Sequence, residues 1–173
     1  MSFLGKKILN LRSRPKKTKR ANLEQLSFET STSFGLFYTW ENRAKMESIE
    51  ALSEALQAEG KTVSCLCFNP LKEDIAPIHP TFGIESLSSF GKFKSEIVEQ
   101  FMHQSFDYLL LLDFNLSEIS TYLCAHAQAL CKVGIHQEQT EDYFDLMVQV
   151  NANAGIDQFI EQVVKYIKII KHE

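Results

Sequence analysis

Apolar and polar residues follow two different patterns along the body of the chain. Short apolar runs occupy positions 33–39 (SFGLFYT), 62–68 (TVSCLCF), 106–112 (FDYLLLL) and 131–136 (CKVGIH). Runs of this length, rich in aromatic and β-branched residues, are typical of β-strands. The run FDYLLLL is almost entirely apolar, which indicates a central parallel strand covered on both faces.

Amphipathic stretches with helical spacing separate these runs. In the stretch 41–60, residues Ile49, Leu52 and Leu56 form one apolar stripe, and Gly60 supplies a C-terminal stop. Further helices are predicted after position 95, after position 117 and over residues 155–170. We expect side-chain caps at the start of the first three helices, from Thr39, Ser95 and Ser117.

The alternation of strands and helices predicts a three-layer, Rossmann-like α/β sandwich with a mostly parallel sheet of about five or six strands. The first strand, helix and strand form a βαβ unit with a right-handed crossover. A short edge strand near 82–85 and a last strand within 142–150 complete the sheet. Residues 31–173 are predicted to form a single α/β domain, and residues 1–30 a basic N-terminal helix or arm.

Charge is distributed unevenly between this arm and the body. The chain has 18 basic and 22 acidic residues and a net charge of −4. The first 20 residues contain no acid, so residues 21–173 keep 10 basic and 22 acidic residues, a net of −12. A cationic arm on an anionic body predicts binding to a polyanion, and structured RNA, above all the ribosome, is the favoured partner. The cations predicted to hold phosphates are Lys6, Lys7, Arg12, Arg14, Lys16, Lys17, Lys19 and Arg20.

The same arm allows other interpretations. Phe3, Leu4, Ile8 and Leu11 fall on one side of a helix, so the arm could bind an anionic membrane surface instead. A solvated terminus without a partner is the plainest alternative. Lysines interrupt the apolar residues that a secretory signal needs, and serines are too few for a typical transit peptide. We therefore expect a cytoplasmic protein, and its body could also offer a surface to a protein partner.

The pattern of the four cysteines favours buried thiols over a metal site. Cys65 and Cys67 alternate along one strand and point to the same face. They lack a second pair at zinc-ligand spacing, and Cys124 and Cys131 lie in different predicted elements. We expect all four to be reduced core thiols in a reducing compartment, and we expect no metal site.

The segment from FDYLLLLD through SEISTYLCAHAQALCKVGIH combines a strand ending in Asp, a helix with small residues and a Lys-Val-Gly strand. With SSFGKFKSEIVEQF before it and the basic arm ahead, this resembles a family of short uncharacterised bacterial proteins. The pattern is more distantly similar to the N-terminal domain of heptosyltransferase-like glycosyltransferases. These resemblances imply a shared sheet, and they imply no glycosyl transfer, because those enzymes hold the nucleotide sugar mainly on a second domain.

Ligands of open α/β sheets bind beyond the carboxyl ends of the strands. A crevice there would be lined by polar and aromatic residues that follow the predicted strands: Trp40, Glu41, Asn42, Asp113, Asn115 and His136. Each also has a purely structural interpretation, with Asp113 and Asn115 as caps and Trp40 as a cover for the core. A small-ligand-binding or degenerate glycosyltransferase-like domain is therefore a third alternative.

Known catalytic signatures do not occur in the sequence. The first strand-to-helix turn, FYTWENR, has no glycine for a pyrophosphate, and neither a G-x-S-x-G nor an H-E-x-x-H motif occurs. No cofactor is expected, and a non-enzymatic binding protein is the favoured interpretation.

Overall fold

A computed structural model describes residues 26–71, 76–87, 93–137, 141–151 and 153–169 of the protein. Within these ranges strands and helices alternate along the chain. In chain order they are β1 (Ser33–Thr39), α1 (Arg43–Ala58), β2 (Thr62–Asn69), β3 (Thr81–Gly83), α2 (Glu96–His103), β4 (Ser105–Leu111), α3 (Glu118–His126), β5 (Gln128–Ile135), β6 (Leu146–Val148) and α4 (Ile156–Ile169). A 3₁₀ turn, Ile84–Ser86, follows β3.

The six strands form one parallel sheet in the order β3-β2-β1-β4-β5-β6. This confirms the predicted α/β fold and its parallel sheet. The strand order reverses between β1 and β4, so their carboxyl ends form the topological switch point of the sheet. β1 and β4 are also the most buried strands, as their central positions require.

Two hydrophobic cores lie on opposite faces of the sheet. On one face, α1 and α4 bury residues such as Ile49 and Phe159 against Tyr38 and Tyr108. On the other, α2 and α3 bury Phe101, Leu123 and their neighbours against the alternate residues of the same strands. The alternation of side chains along each strand supplies both cores, and the result is the predicted three-layer arrangement.

The helix starts differ in part from the expected caps. Ser117 caps α3 as predicted, since its Oγ accepts a hydrogen bond from the Ser120 backbone N–H. Ser95 is the N-cap residue of α2 but makes no side-chain capping bond. The prediction of Thr39 as the cap of α1 was wrong, because β1 runs through Thr39 and Asn42 Oδ1 accepts from the Lys45 N–H instead.

The chain enters β1 through an anchored segment, residues 26–31. Leu26 and Phe28 are buried in the core on the α1 face. Lys61 Nζ donates to the carbonyl oxygens of Phe28 (2.7 Å) and Ser31 (2.8 Å), and it lies 4.7 Å from the centre of the Phe28 ring. Lys168 lies 4.7 Å from the same ring. These contacts fix residues 26–31 against the body at the amino-terminal edge of the sheet.

Candidate functional site

The carboxyl edge of the sheet, where ligands of this fold class bind, is organised around Asp113. This residue follows β4, and it is 1% exposed. Thr39, the last residue of β1, donates its backbone N–H to Asp113 Oδ1 (2.8 Å) and its hydroxyl to Oδ2 (2.8 Å). Ser120 of α3 makes a longer contact to Oδ2, at 3.4 Å. The carboxylate therefore ties the two central strands together at the switch point.

Lys45 completes this cluster from the first turn of α1. Its ammonium, 3% exposed, donates to Asp113 Oδ1 (2.7 Å) and to Glu41 Oε1 (2.6 Å). Glu41 is about half exposed, so the cluster reaches solvent on one side only. Burying these charges costs solvation energy that the ion pairs and the Thr39 hydrogen bonds offset. We call Glu41, Lys45 and Asp113 the switch-point cluster.

The local sequence explains how a lysine comes to lie there. Asn42 caps α1, which places Lys45 in the first turn of the helix. From that position, Lys45 shares the buried side of α1 with Ile49, Leu52 and Leu56. The turn 40–42 between β1 and α1 then brings Glu41 within reach of the ammonium.

The structure brings only some of the predicted crevice residues together. Glu41 and Asp113 meet through Lys45, while Asn42 is used as a helix cap. Trp40 is half-buried and packs against the core of the α1 face, and Asn115 and His136 are exposed. Among the described residues, the hydrogen bonds of Asp113 go to Thr39, Lys45 and Ser120, so its structural role here is to join β1, α1 and α3.

Sequence reasoning missed Lys45, the residue that holds the cluster together. A signal was present: the lysine falls on the apolar stripe of an amphipathic helix, four residues before Ile49. A lysine in that register is either a solvated end of the stripe or a buried cation with acidic partners. The sequence alone could not supply the partner, since Asp113 lies 68 residues further along the chain.

A second polar cluster connects Tyr38 of β1 through His79 to Glu50 of α1. Tyr38 Oη lies 2.9 Å from His79 Nδ1, and His79 Nε2 lies 2.7 Å from Glu50 Oε2. Burial raises the pKa of the Tyr38 hydroxyl, so the phenol stays protonated and can donate to His79. His79 is buried, whereas the Glu50 side chain is 32% exposed. The chain of bonds thus connects the core to a surface carboxylate.

All four cysteines are free thiols, as predicted. Cys67, Cys124 and Cys131 are buried and Cys65 is half-buried. Burial raises the pKa of Cys65 to about 11 and those of Cys124 and Cys131 to about 12. A thiol that keeps its proton at neutral pH is a poor nucleophile and a poor metal ligand.

The cationic residues of the arm, from Lys6 to Arg20, lie outside the described residues. Among the residues that the structure describes, no three His, Cys, Asp or Glu side chains are grouped to hold a metal ion. No described helix has the length and apolar character to cross a membrane.

Comparison with known proteins places the chain within a family. Residues 2–170 match the family model described as a family of unknown function, DUF6913. The chain belongs to this family. No curated protein and no solved structure matches it. The match extends over both the arm and the α/β domain, so the two are parts of one family pattern.

Proposed function

We propose that this DUF6913 protein is a non-enzymatic binding protein of the cytoplasm that docks onto structured RNA, most plausibly the ribosome, through its basic arm. The observation that carries the proposal is the charge division. Eight cations and no acid occupy the first 20 residues, while the remainder of the chain has a net charge of −12. Lysine and arginine side chains bind phosphates and release condensed counterions, which favours association without a folded recognition element.

The anchoring of residues 26–31 supports a role for the body as a spacer or as a platform for a partner. Phe28 is buried in the core, and Lys61 donates hydrogen bonds to the adjoining carbonyl groups. A partner bound to the arm would therefore be connected to the sheet through residues 26–31. The anionic body would be repelled by the phosphate backbone, which leaves the arm as the contact and turns the body outward. The body could then present a surface to a protein partner.

The switch-point cluster supports a binding protein over an enzyme. Lys45 and Asp113 bind each other and backbone or hydroxyl groups of the same chain. Both are almost fully buried, so they hold the strands and the helix together where a Rossmann-like enzyme would hold its ligand.

Binding of a labelled, structured RNA such as a ribosomal RNA hairpin tests the proposal. The full chain is compared with a chain lacking residues 1–20 and with a variant in which the eight arm cations are replaced by glutamine. Both variants should lose binding, because they lack the phosphate contacts, while their unfolding curves should match that of the full chain. Undiminished binding by either variant would contradict the proposal.

Attachment to a membrane surface is the second candidate, favoured by the apolar side of the arm. The double substitution Phe3→Ser and Leu4→Ser removes two apolar residues and keeps every cation. If RNA is the partner, this variant should bind RNA as the full chain does. Loss of binding to phosphatidylserine vesicles together with absent RNA binding in the full chain would favour the membrane instead.

A further inference from the structure

Among the residues that the structure describes, β3 covers only part of the sheet edge beside β2. β3 pairs with Cys67, Phe68 and Asn69 alone, whereas β2 begins at Thr62. Val63, Ser64 and Cys65 are half-buried. A groove of about 440 Å³ runs along this open part of the strand, between α1 and α2. Its volume lies in the range of ~300–1,000 Å³ that is typical of ligand sites.

The hydrogen bonds around β2 show which backbone groups face the groove. Thr62 N–H donates to Thr32 and the Phe68 carbonyl accepts from Trp40, so even-numbered residues of β2 face β1. Cys67 N–H donates to the Pro80 carbonyl, so odd-numbered residues face outward. Alternation along a strand therefore points the N–H and C=O groups of Val63 and Cys65 into the groove. Among the described residues these four groups have no backbone partner.

Pro80 explains why the β2–β3 ladder stops at this point. In the register of β2 and β3, the residue placed to donate to the Cys65 carbonyl is Pro80. Proline has no N–H, so the ladder ends there and Pro80 leaves the Cys65 carbonyl unbonded. The opposite edge of the sheet differs, because Asp145 covers Lys132 of β5 with its backbone N–H and its carboxylate.

Side chains on the two walls of the groove are polar and mostly uncharged. Ser53 and Gln57 come from α1, and Gln100 and Gln104 from α2 or its end. Glu50 is the acidic residue of the lining. One of its carboxylate oxygens binds His79, and the other has no hydrogen-bond partner among the described residues.

We infer that this groove binds an extended peptide segment of a partner protein, which adds a strand to β2 and places a lysine or arginine side chain against Glu50. Main-chain bonds to Val63 and Cys65 would provide affinity, and the alternating side chains of the peptide would contact the α1 and α2 walls. The negative charge of Glu50 selects the cationic side chain. This inference stands independently of RNA binding, because it uses no residue of the arm.

Amide NMR spectra of the full chain test the inference directly. The probe is the pentapeptide TVKVT, with TVEVT as the charge control and TVKVT with N-methylated backbone amides as the pairing control. TVKVT should cause saturable shifts of the Val63 and Cys65 amide signals. TVEVT should bind about tenfold more weakly or worse, which is a difference of ~1.4 kcal/mol. The N-methylated peptide should not bind.

Two variants make the result specific to the groove. Glu50→Gln should remove the preference for TVKVT over TVEVT while keeping the open edge. Val63→Pro removes an outward N–H and should abolish binding, and its unfolding curve must match the parent for the comparison to count. Absence of saturable shifts with millimolar TVKVT, or equal binding of all three peptides, would overturn the inference.

Other occupants of the groove give distinct results. If the groove is filled by the chain's own arm, TVKVT will bind only after residues 1–20 are deleted. If a second copy fills it, the Val63 and Cys65 signals will shift on dilution without peptide. Either outcome contradicts the inference.

Discussion

Lys45 is a buried cation on which the stability of the fold depends. It is 3% exposed and bound to Asp113, which is 1% exposed, so removal of the lysine leaves a buried carboxylate without its countercharge. Losing one partner of a buried ion pair typically costs ~3–5 kcal/mol, whereas an exposed pair contributes at most about 1 kcal/mol. Arg43, which pairs with Glu47 at the surface of the same helix, is the natural comparison.

Lys45→Met should therefore lower the free energy of unfolding by about 3–5 kcal/mol, and Arg43→Met by less than about 1 kcal/mol. Denaturant unfolding followed by circular dichroism measures both. Adding Asp113→Asn to Lys45→Met should recover part of the loss, since the amide removes the buried charge and keeps an oxygen for Thr39. Equal losses for the two single variants would show that the switch-point cluster contributes no more than a surface pair.

Burial of the thiols predicts a pH dependence of stability. The pKa of Cys124 is raised from 9.0 to about 12, so between these values the unfolded chain loses a proton that the folded chain retains. The free energy of unfolding should then fall as pH rises above 9, by up to ~1.4 kcal/mol per pH unit from this group. Cys124→Ala should make that slope less steep, with the remainder due to Cys65 and Cys131, as measured by denaturant unfolding from pH 8 to pH 10.5. An identical slope in both proteins would contradict the raised pKa.

At the scale of secondary structure, the elements with a clear pattern were predictable. The apolar runs of β1, β2 and β4 and the amphipathic stripe of α1 are patterns of neighbouring residues in the sequence, and all of these elements were found. The short strands β3 and β6 were placed only approximately, because each is three residues long and is defined by its neighbour in the sheet. The pairing of Lys45 with Asp113 depends on β1 lying beside β4, which no local pattern encodes.

Gly134 shows how closely the elements pack around β5. A Cβ atom at this position would lie 2.2 Å from the ring of Phe144, which is itself buried. At Gly155, before α4, a Cβ would meet nothing within 4 Å. The segment that carries Phe144 must therefore move before position 134 accepts any side chain.

Gly134→Ala should lower the free energy of unfolding by about 1–3 kcal/mol through overpacking. Gly155→Ala should leave it nearly unchanged. Thermal unfolding of the two variants beside the parent provides the measurement. If Gly134→Ala is as stable as Gly155→Ala, then Phe144 packs more loosely over β5 than the Cβ distance of 2.2 Å implies.

For the whole molecule, the proposed RNA binding rests on the division of charge between the start of the chain and its remainder. Residues 1–20 carry eight positive charges and no acid, and residues 21–173 carry a net of −12. Residues 26–31 are held by Lys61 at the amino-terminal edge of the sheet, while the switch-point cluster lies at the other edge. In the proposed complex, the phosphate-rich partner is bound by the cationic segment that precedes residues 26–31 in the chain.

The salt dependence of RNA binding tests most directly whether the cationic residues 1–20 make the contacts with phosphate. Each phosphate contact contributes a slope of about −0.7 to −0.9 in a plot of log K against log salt concentration. If most of the eight arm cations bind phosphates, the full chain should show a slope near ~−5 or steeper between 50 and 200 mM salt. The chain lacking residues 1–20 should show no measurable binding over the same range. A slope close to zero for the full chain, or a slope unchanged by the deletion, would contradict the account.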